Sequence, residues 1–484
     1  MWGAFRTNAM VSGANPSYTV DELAYQLEVL SKRYKLKGLI THPNSLETSL
    51  KAAQQVGIPN ERIVLMSSQL DRLAPPQTPS GILTLDGMIQ KYAHVAQKPL
   101  PIVKLTAEGG KDKVAFLSFS SGTTGLPKAV QIPHRAVIAN MIIILRHMDE
   151  DVSGERIMAV LPYYHIFGLV VVLHSSLYRG MANVIAPQFS FKPFLENIIR
   201  YRVSRLCLVP PMVVLMVKHP AGTRLAKEIQ KSLKSILCGA APLTQELFDQ
   251  LLQMYPNVRI GQGYGMTETA TWVTGLPSNI EPARGASVGV IGPNIQLKII
   301  DPSGTPVGFG HKGEVLIKSP SNAIGYLANP KATAETFDQE GFVHTGDEGY
   351  VDSHGWVYVV DRLKELIKVK GNQLAPAELE GLLLNHSAVA DVCVIGVPDT
   401  YSGEVARAYI VVSEEAQNLD RTQLAVDLAQ FVSSQKIRYK WLDGGIEFVE
   451  SIPKNPSGKI LRRVLRDQYK ASLNSSNPGG NAKL

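Results

Sequence analysis

The sequence predicts an α/β protein: a large N-terminal domain of doubly wound sheets with a small β-barrel-like subdomain, followed by an α+β C-terminal domain. Three observations predict it. Helix-type and strand-type segments alternate through the first half, short β-rich segments replace them after Gly285, and a new strand and helix series begins near Asp361. Alternation of that kind implies parallel sheets covered by helices on both faces. In order, Thr19-Val-Asp-Glu22 is a capping box that opens a helix to about Leu30. Gly38 to Thr41 is a strand, Ser45 to Val56 a helix, and Ile63 to Met66 a strand. The pattern returns as strand Arg156 to Leu161, helix Lys192 to Tyr201, strands Leu206 to Val209 and Leu233 to Leu237, and helix Thr244 to Met254. Beyond Gly285 the turn chemistries Asp301-Pro-Ser-Gly304 and Asp352-Ser-His-Gly355 break β-rich runs, as in a small antiparallel or barrel-like subdomain. The expected division is 1–361, 362–470, and a flexible tail 471–484 of Ser, Asn and Gly.

At 484 residues, with 45% hydrophobic and 19% charged residues, the chain can bury large cores and is not a disordered one. A net charge of +7 is mild for this length and lacks the dense basic face of a nucleic-acid binder, though a pocket for an anionic cofactor fits it. Cys207, Cys238 and Cys393 are far apart without CxxC spacing, so neither a disulfide framework nor a zinc site is expected, and a reducing compartment is. The longest apolar run, Ile166 to Leu173, is too short to span a bilayer, and the N-terminus lacks a signal-peptide core, so the expectation is a soluble intracellular protein.

Several segments carry chemistry. Ser118-Phe-Ser-Ser-Gly-Thr-Thr-Gly-Leu-Pro-Lys128 leaves the apolar run Val114 to Leu117, so its backbone N–H groups and hydroxyls can converge on a phosphate, with Lys128 adding charge. It is not a P-loop, because Leu126 and Pro127 separate Gly125 from Lys128. A flexible loop is an equal reading of that segment alone. Gly261-Gln-Gly-Tyr-Gly-Met-Thr-Glu268 fails the GxGxxG pattern at Met266 and leaves an aromatic ring among glycines, then a hydroxyl and a carboxylate. Tyr264 suits a base, Thr267 a phosphate and Glu268 a Mg²⁺ ion, while a capped turn is the plain alternative. Asp347 in His344-Thr-Gly-Asp347 suits paired ribose hydroxyls. The charges of Asp361 to Gln373 alternate with Leu363, Leu366, Ile367 and Val369, ordinarily a solvated face, and Lys459 in Pro453 to Ile460 follows a turn, where a lone lysine is ordinarily surface charge.

In this order, SSGTTGLPK, GYGMTE, TGD, DRLKELIKVKG and the Pro453 to Lys459 segment resemble the signature motifs of the adenylate-forming superfamily: acyl- and aryl-CoA ligases, luciferases and peptide-synthetase adenylation domains. The nearest branch is that of the coumarate-CoA ligases, and the resemblance covers nearly the whole chain. It implies ATP, Mg²⁺ and CoA as cofactor and co-substrates, and a C-terminal domain that rotates. Ser121, Gly122, Thr123, Thr124, Gly125 and Lys128 would line the phosphates, with Thr267 and the metal-binding Glu268. Gly239, Ala240, Ala241, Gln262, Gly263, Tyr264 and Gly265 would surround adenine, and Asp347 and Arg362 would hold the ribose. Lys364 would be the hinge. Lys459 would bridge the substrate carboxylate and the α-phosphate, and His165 would gate the thiol tunnel. After rotation Lys370 and Gly371 would pass CoA, with Lys368 and Gln373 near the adenylate. Phe167, Val171, Leu237 and Trp272 would line the acyl pocket.

The sequence departs from that branch in places. Ala129 stands where a glycine is usual, and Val171 and Leu237 stand where coumarate ligases carry a serine and a lysine that hold the phenol, which argues for an apolar acid, fatty, phenylacetic or aryl. Family members carry about a hundred further residues before the point matching Met1, so the first subdomain is expected to be incomplete. An adenylating enzyme with another acceptor, or an inactive nucleotide-binding remnant, are the alternatives. The terminal Ala482-Lys483-Leu484 resembles a peroxisomal address, read by an import receptor.

Overall fold

The structure is a computed structural model that describes residues 1–66, 79–95, 103–106, 109–120, 126–148, 151–278, 285, 287–455 and 458–475. The chain divides into two compact units. One comprises Met1–Ser121, Leu126–Ile138 and Ser321–Phe337, the other Gly122–Gly125, Ala139–Pro320 and Asp338–Leu484.

In the first unit, strands Leu39–Thr41, Ile63–Leu65 and Leu83–Thr84 pair in parallel, and helices Val20–Ser31 and Leu46–Gln55 pack beside them. Helix Val20–Ser31 starts where the capping box places it: the Thr19 hydroxyl accepts from Glu22 N–H and the Glu22 carboxylate accepts from Thr19 N–H. It buries Leu23 and Leu27 with Ala52, Ile63 and Leu65. An antiparallel ribbon, Val114–Ser120 with Lys128–Pro133, completes the unit, and Lys128 lies over the Tyr326 ring at 4.8 Å.

The second unit is built on a five-stranded sheet in the order Arg259–Gln262, Ser235–Cys238, Arg205–Leu208, Arg156–Ala159, Ala182–Ile185, every pair parallel. Helices Phe191–Arg200, Pro210–Lys218, Pro220–Ile229 and Gln245–Met254 join these strands, and Thr244 caps the last through Leu247 N–H. Their apolar stripes bury Leu195, Ile198, Met216 and Leu251 completely, each such side chain contributing on the order of 2 kcal/mol. The β-rich region after Gly285 forms a four-stranded antiparallel sheet, Gln296–Ile300, Gly313–Lys318, Val343–Val351 and Val357–Arg362. The turn at Asp301 forms as expected, its carboxylate accepting from Ser303 and Thr305 N–H. The final series folds around strands Val389–Asp399 and Gly403–Val412, flanked by the hairpin Ile367–Val369/Asn372–Leu374 and by helices Pro376–Leu384, Arg421–Ser433 and Arg462–Ser475.

One element carries no periodic signal in the sequence. Phe167–Ser175 is a π-helix buried almost throughout, and its all-apolar run FGLVVVL does not distinguish a face. The three cysteines are buried and free. Burial pushes the thiols of Cys207 and Cys238 up to about 12, so both are inert packing groups.

Candidate active site

The carboxyl ends of parallel strands are where an open α/β sheet leaves a crevice, and the chain loads that edge. Past strand Ser235–Cys238 come Gly239, Ala240 and Ala241, with Ala240 at φ 72°. Gly239 is tightly surrounded: a Cβ there would stand 3.2 Å from both Gly263 O and the Phe167 ring. Past strand Arg259–Gln262 come Gly263, Tyr264 and Gly265, and a Cβ on Gly265 would overlap the Thr271 carbonyl oxygen. Gln262 is occupied structurally, its amide bridging Leu243 N–H, Leu243 O and Gly285 O.

Thr267 and Glu268 lie on a buried 3₁₀ turn, Thr267–Thr269, that ends in two successive positive-φ residues, Ala270 at 52° and the β-branched Thr271 at 104°. Such strain persists only where surrounding contacts hold it. Here the holder is Asn140, whose side-chain amide donates to Thr269 O and Trp272 O and accepts from Trp272 N–H, while the Thr271 hydroxyl donates to Ile166 O. Asn140 was not singled out from the sequence, since one polar residue in an apolar helix leaves no local pattern.

Asp347 is buried on strand Val343–Val351, directly across from Arg362. It accepts from the Tyr264 hydroxyl at 2.7 Å and pairs with Arg362 Nε at 3.0 Å. Burial, then the Asp347 charge, push the Tyr264 phenol well above its ordinary range, so it stays a donor.

Lys459 comes to the same place from the other end of the chain. Its loop turns at Gly458, φ 79°, and packs so tightly against the end of strand Arg205–Leu208 that a Cβ at 458 would stand 2.8 Å from Val209 Cγ2. The Lys459 backbone N–H is held by Asn455 Oδ1. Burial, and secondarily Arg362, lower the ammonium to about 8, against the opposing pull of Glu365 and Asp347. His165 is lowered to about 4 by burial and by the Lys459 charge, so the imidazole is neutral. The sequence alone favoured a surface place for a lone lysine there, and the structure half-buries it.

Arg462, three residues on, anchors this loop. Buried, it pairs with Glu365 at 2.7 Å and Glu380 at 2.6 Å and donates to Val394 O. Glu365 is therefore a buried partner and not part of the solvated face that the alternating charges suggest, although Lys364, Lys368 and Lys370 on either side are exposed. Lys368 and Gln373 are cross-strand neighbours in the hairpin, which turns on Lys370 and Gly371 at φ 49° and 81°, and the ammonium of Lys370 lies 4.0 Å from the Tyr401 ring centre. All four of these hairpin residues are exposed. Thus Lys459, His165, Tyr264, Asp347 and Arg362 form one cluster, whereas the hairpin residues face solvent.

Val171, Leu237 and Trp272 line one cavity between the sheet and the π-helix. The Phe167 ring closes against Gly239 at the upper edge of the sheet. Ser121, Gly122, Thr123, Thr124, Gly125, Ala482, Lys483 and Leu484 lie outside the described residues. Among the described residues no three His, Cys, Asp or Glu side chains gather as a cation cage.

A profile of the family described as AMP-binding enzyme matches residues 1–327, and that of the AMP-binding enzyme C-terminal domain matches residues 378–459. The chain belongs to the AMP-binding enzyme family. Among its relatives is a probable 4-coumarate–CoA ligase 2 of Dictyostelium discoideum, 36% identical over 96% of this chain and 82% of that protein. A 4-coumarate–CoA ligase 2 of Oryza sativa subsp. japonica is 40% identical over 81% of this chain and 68% of its own, and the peroxisomal OPC-8:0-CoA ligase 1 of Arabidopsis thaliana is 35% identical over 89% and 79%. The kinship makes this AMP-binding enzyme an AMP-forming acid–CoA ligase in type. Its fold matches that of the anthranilate CoA ligase AuaEII in complex with anthranoyl-AMP, with a TM-score of 0.82 at 23% identity over 98% of this chain and 85% of that one. It also matches the ATP-bound RpMatB-BxBclM chimera B1, with a TM-score of 0.81 at 24% identity over 96% and 85%.

Proposed function

We propose that this enzyme joins an apolar carboxylic acid, fatty, phenylacetic or aryl, to CoA through an acyl-adenylate, using ATP and Mg²⁺. The observation that supports it best is the placement of a half-buried Lys459 in the electrostatic neighbourhood of His165, Asp347 and Arg362. In the first step a carboxylate oxygen attacks the α-phosphorus and the bond to pyrophosphate breaks. Two anions meet there, and a positioned ammonium stabilises the charge that develops between them. The Asp347 carboxylate, already accepting from Tyr264 and Arg362, keeps lone pairs for ribose hydroxyls. Glu268, buried on a held turn, would supply the protein ligand to a phosphate-bound Mg²⁺, which needs only one or two carboxylates and neutralises phosphate charge when bound. The 121–128 loop is proposed as the phosphate cradle.

In the second step the CoA sulfur attacks the acyl carbonyl and AMP leaves. We assign that step to a rotated state in which residues 362–470 turn about Lys364, withdrawing Lys459 and bringing in Lys368, Lys370, Gly371 and Gln373. The exposure of these four while Lys459 is half-buried fits the first-step arrangement. The reading extends to place: Ala482-Lys483-Leu484 is taken as a peroxisomal address, in keeping with the peroxisomal relative, and no described helix is long and apolar enough to cross a membrane. Deleting the tripeptide from an N-terminally tagged fluorescent fusion should change puncta to diffuse signal.

Pyrophosphate release measured over a panel of acids, with and without CoA, tests the activity. Release with an acid and thioester with CoA is the expected result. Release without thioester would point to another acceptor, and the absence of release with every acid tried would mark a chain that binds nucleotide without turnover.

A further inference from the structure

Helix Pro376–Leu384 has no caps of its own. Its N-cap position is Ala375, whose side chain offers no acceptor, and its last turn carries no basic residue. A helix start presents backbone N–H groups and a helix end presents carbonyl oxygens, with partial charges of opposite sign, so both ends require partners. Both partners come from outside the helix. At the start, the buried Asp361 carboxylate accepts from Ala377 N–H at 3.2 Å with one oxygen and from Arg362 N–H at 2.7 Å with the other. At the end, the Lys218 ammonium donates to Leu384 O, and to Val389 O at 3.3 Å where the following strand begins. An anion thus meets the positive end and a cation the negative one. Between them the helix lies close on Thr244, where a Cβ on Gly381 would run into the threonine methyl group.

The same helix is fixed to the segment that carries Lys459. Glu380 pairs at 2.6 Å with Arg462, three residues beyond Lys459, and accepts from Val394 N–H, while Glu378 is tied to Lys436 and Lys440 at 2.8 and 2.7 Å. Leu379 and Leu383 are fully buried in the core that this segment builds. Asp361, Lys218 and Thr244, by contrast, all lie before residue 362. Helix Pro210–Lys218 touches the segment at both of its own ends: Val209 and Pro211 meet Gly458 beside Lys459, and Lys218 meets Leu384 about 10 Å further along.

We propose that Asp361 and Lys218 are positioning residues for adenylation: by capping the two ends of helix Pro376–Leu384 they hold residues 362–470 in the arrangement that presents Lys459. The proposal rests on the ligase reading and the rotation assigned above, and it names what must let go before the second step. Turning about Lys364 to withdraw Lys459 carries Leu384 away from Lys218 and Ala377 away from Asp361, so the helix gives up both partners to water. Neither residue touches a substrate. Each acts by biasing the equilibrium between the two arrangements.

The test uses the full chain with the best acid of the panel and reads two single-turnover rates: pyrophosphate release with MgATP, and thioester formation from supplied acyl-adenylate and CoA. The first rate scales with the population of one arrangement and the second with that of the other, so their ratio follows the equilibrium whichever state is the minor one. Lys218→Met keeps the aliphatic stem and removes the charge, and because Lys218 is exposed the variant should fold. The ratio of thioester rate to adenylation rate should then rise about three- to tenfold. Lys218→Arg keeps a cation at the helix end and should bring the ratio back toward that of the unaltered chain. Asp361→Asn, which keeps an acceptor oxygen and loses the charge, should move the ratio in the same direction as Lys218→Met by less. A ratio unchanged in Lys218→Met, with the two rates unaffected or slowed equally, overturns the proposal while the ligase reading stands. Absence of pyrophosphate release by the unaltered chain with every acid tried overturns the ligase reading and this proposal together.

Discussion

The loop carrying Lys459 and the hairpin carrying Lys368 both turn on a positive-φ glycine flanked by lysine, yet they place their charges in opposite surroundings. The Lys459 loop is wedged against Val209 and anchored from behind by Arg462, and burial weakens its ammonium to about 8. The hairpin lies in solvent, with Lys370 over Tyr401. The same residue type is thus a screened surface charge in one turn and a strong local field in the other. The difference comes from what packs behind each turn rather than from the turn itself.

The largest expected break in this contrast is Arg462→Met. It strands Glu365 and Glu380 as buried carboxylates, and should cost about 3–5 kcal/mol in urea unfolding. By comparison Lys370→Met, on the exposed hairpin, should stay within about 0.5 kcal/mol. A loss below 1 kcal/mol for the arginine variant would show that the pairs are not an anchor.

Next is Lys459→Ala, which should slow adenylation by about 10²–10³ in single turnovers, while thioester formation from supplied acyl-adenylate is retained within a few-fold. Equal slowing of both half-reactions would contradict the assignment of the lysine to the first step. Gly371→Ala should do the reverse and more mildly. A Cβ at φ 81° strains the turn by about 1 kcal/mol, and the thioester step should slow while adenylation stays within about twofold.

The smallest effect is a pH limb. Lys459 is lowered to about 8, so it is charged below that pH and loses its proton above it. Adenylation should therefore fall as pH rises through about 8, and the thioester step should lack that limb. His165, lowered to about 4, is neutral on both sides and should add no limb between about pH 5 and 8.

Local patterns were legible where the physics is local. The Thr19 capping box, the start of the helix at Thr244, the Asp301 turn and the strand and helix alternation all depend on residues within a few positions, and each appears where the sequence places it. The strand around Leu233 to Leu237 is displaced to Ser235–Cys238, because Leu233 is buried just ahead of the ladder. Of the site, the motif residues could be named, and the pairing of Asp347 with Arg362 follows from strand register, whereas Tyr264 reaches Asp347 from a different sheet. What was not legible is long-range: Asn140 clamping a turn about 130 positions away in the chain, Arg462 reaching Glu365, and the π-helix hidden in an unbroken apolar run. Each is decided by a partner elsewhere in the fold.

The π-helix Phe167–Ser175 has a consequence for how this pocket can diversify. A π-turn is equivalent to an ordinary helix with one residue inserted, and an ordinary helix advances about 100° per residue. Deletion of a single codon within this stretch would relax the turn and swing every later side chain by that angle, carrying Ser175 and Arg179 off the cavity wall while His165 and Phe167, before the insertion, stay in register. A lineage would in this way reshape the deep end of this cavity in one mutational event while His165 and Phe167 keep their places, a route that point substitution at the same positions would take several steps to follow.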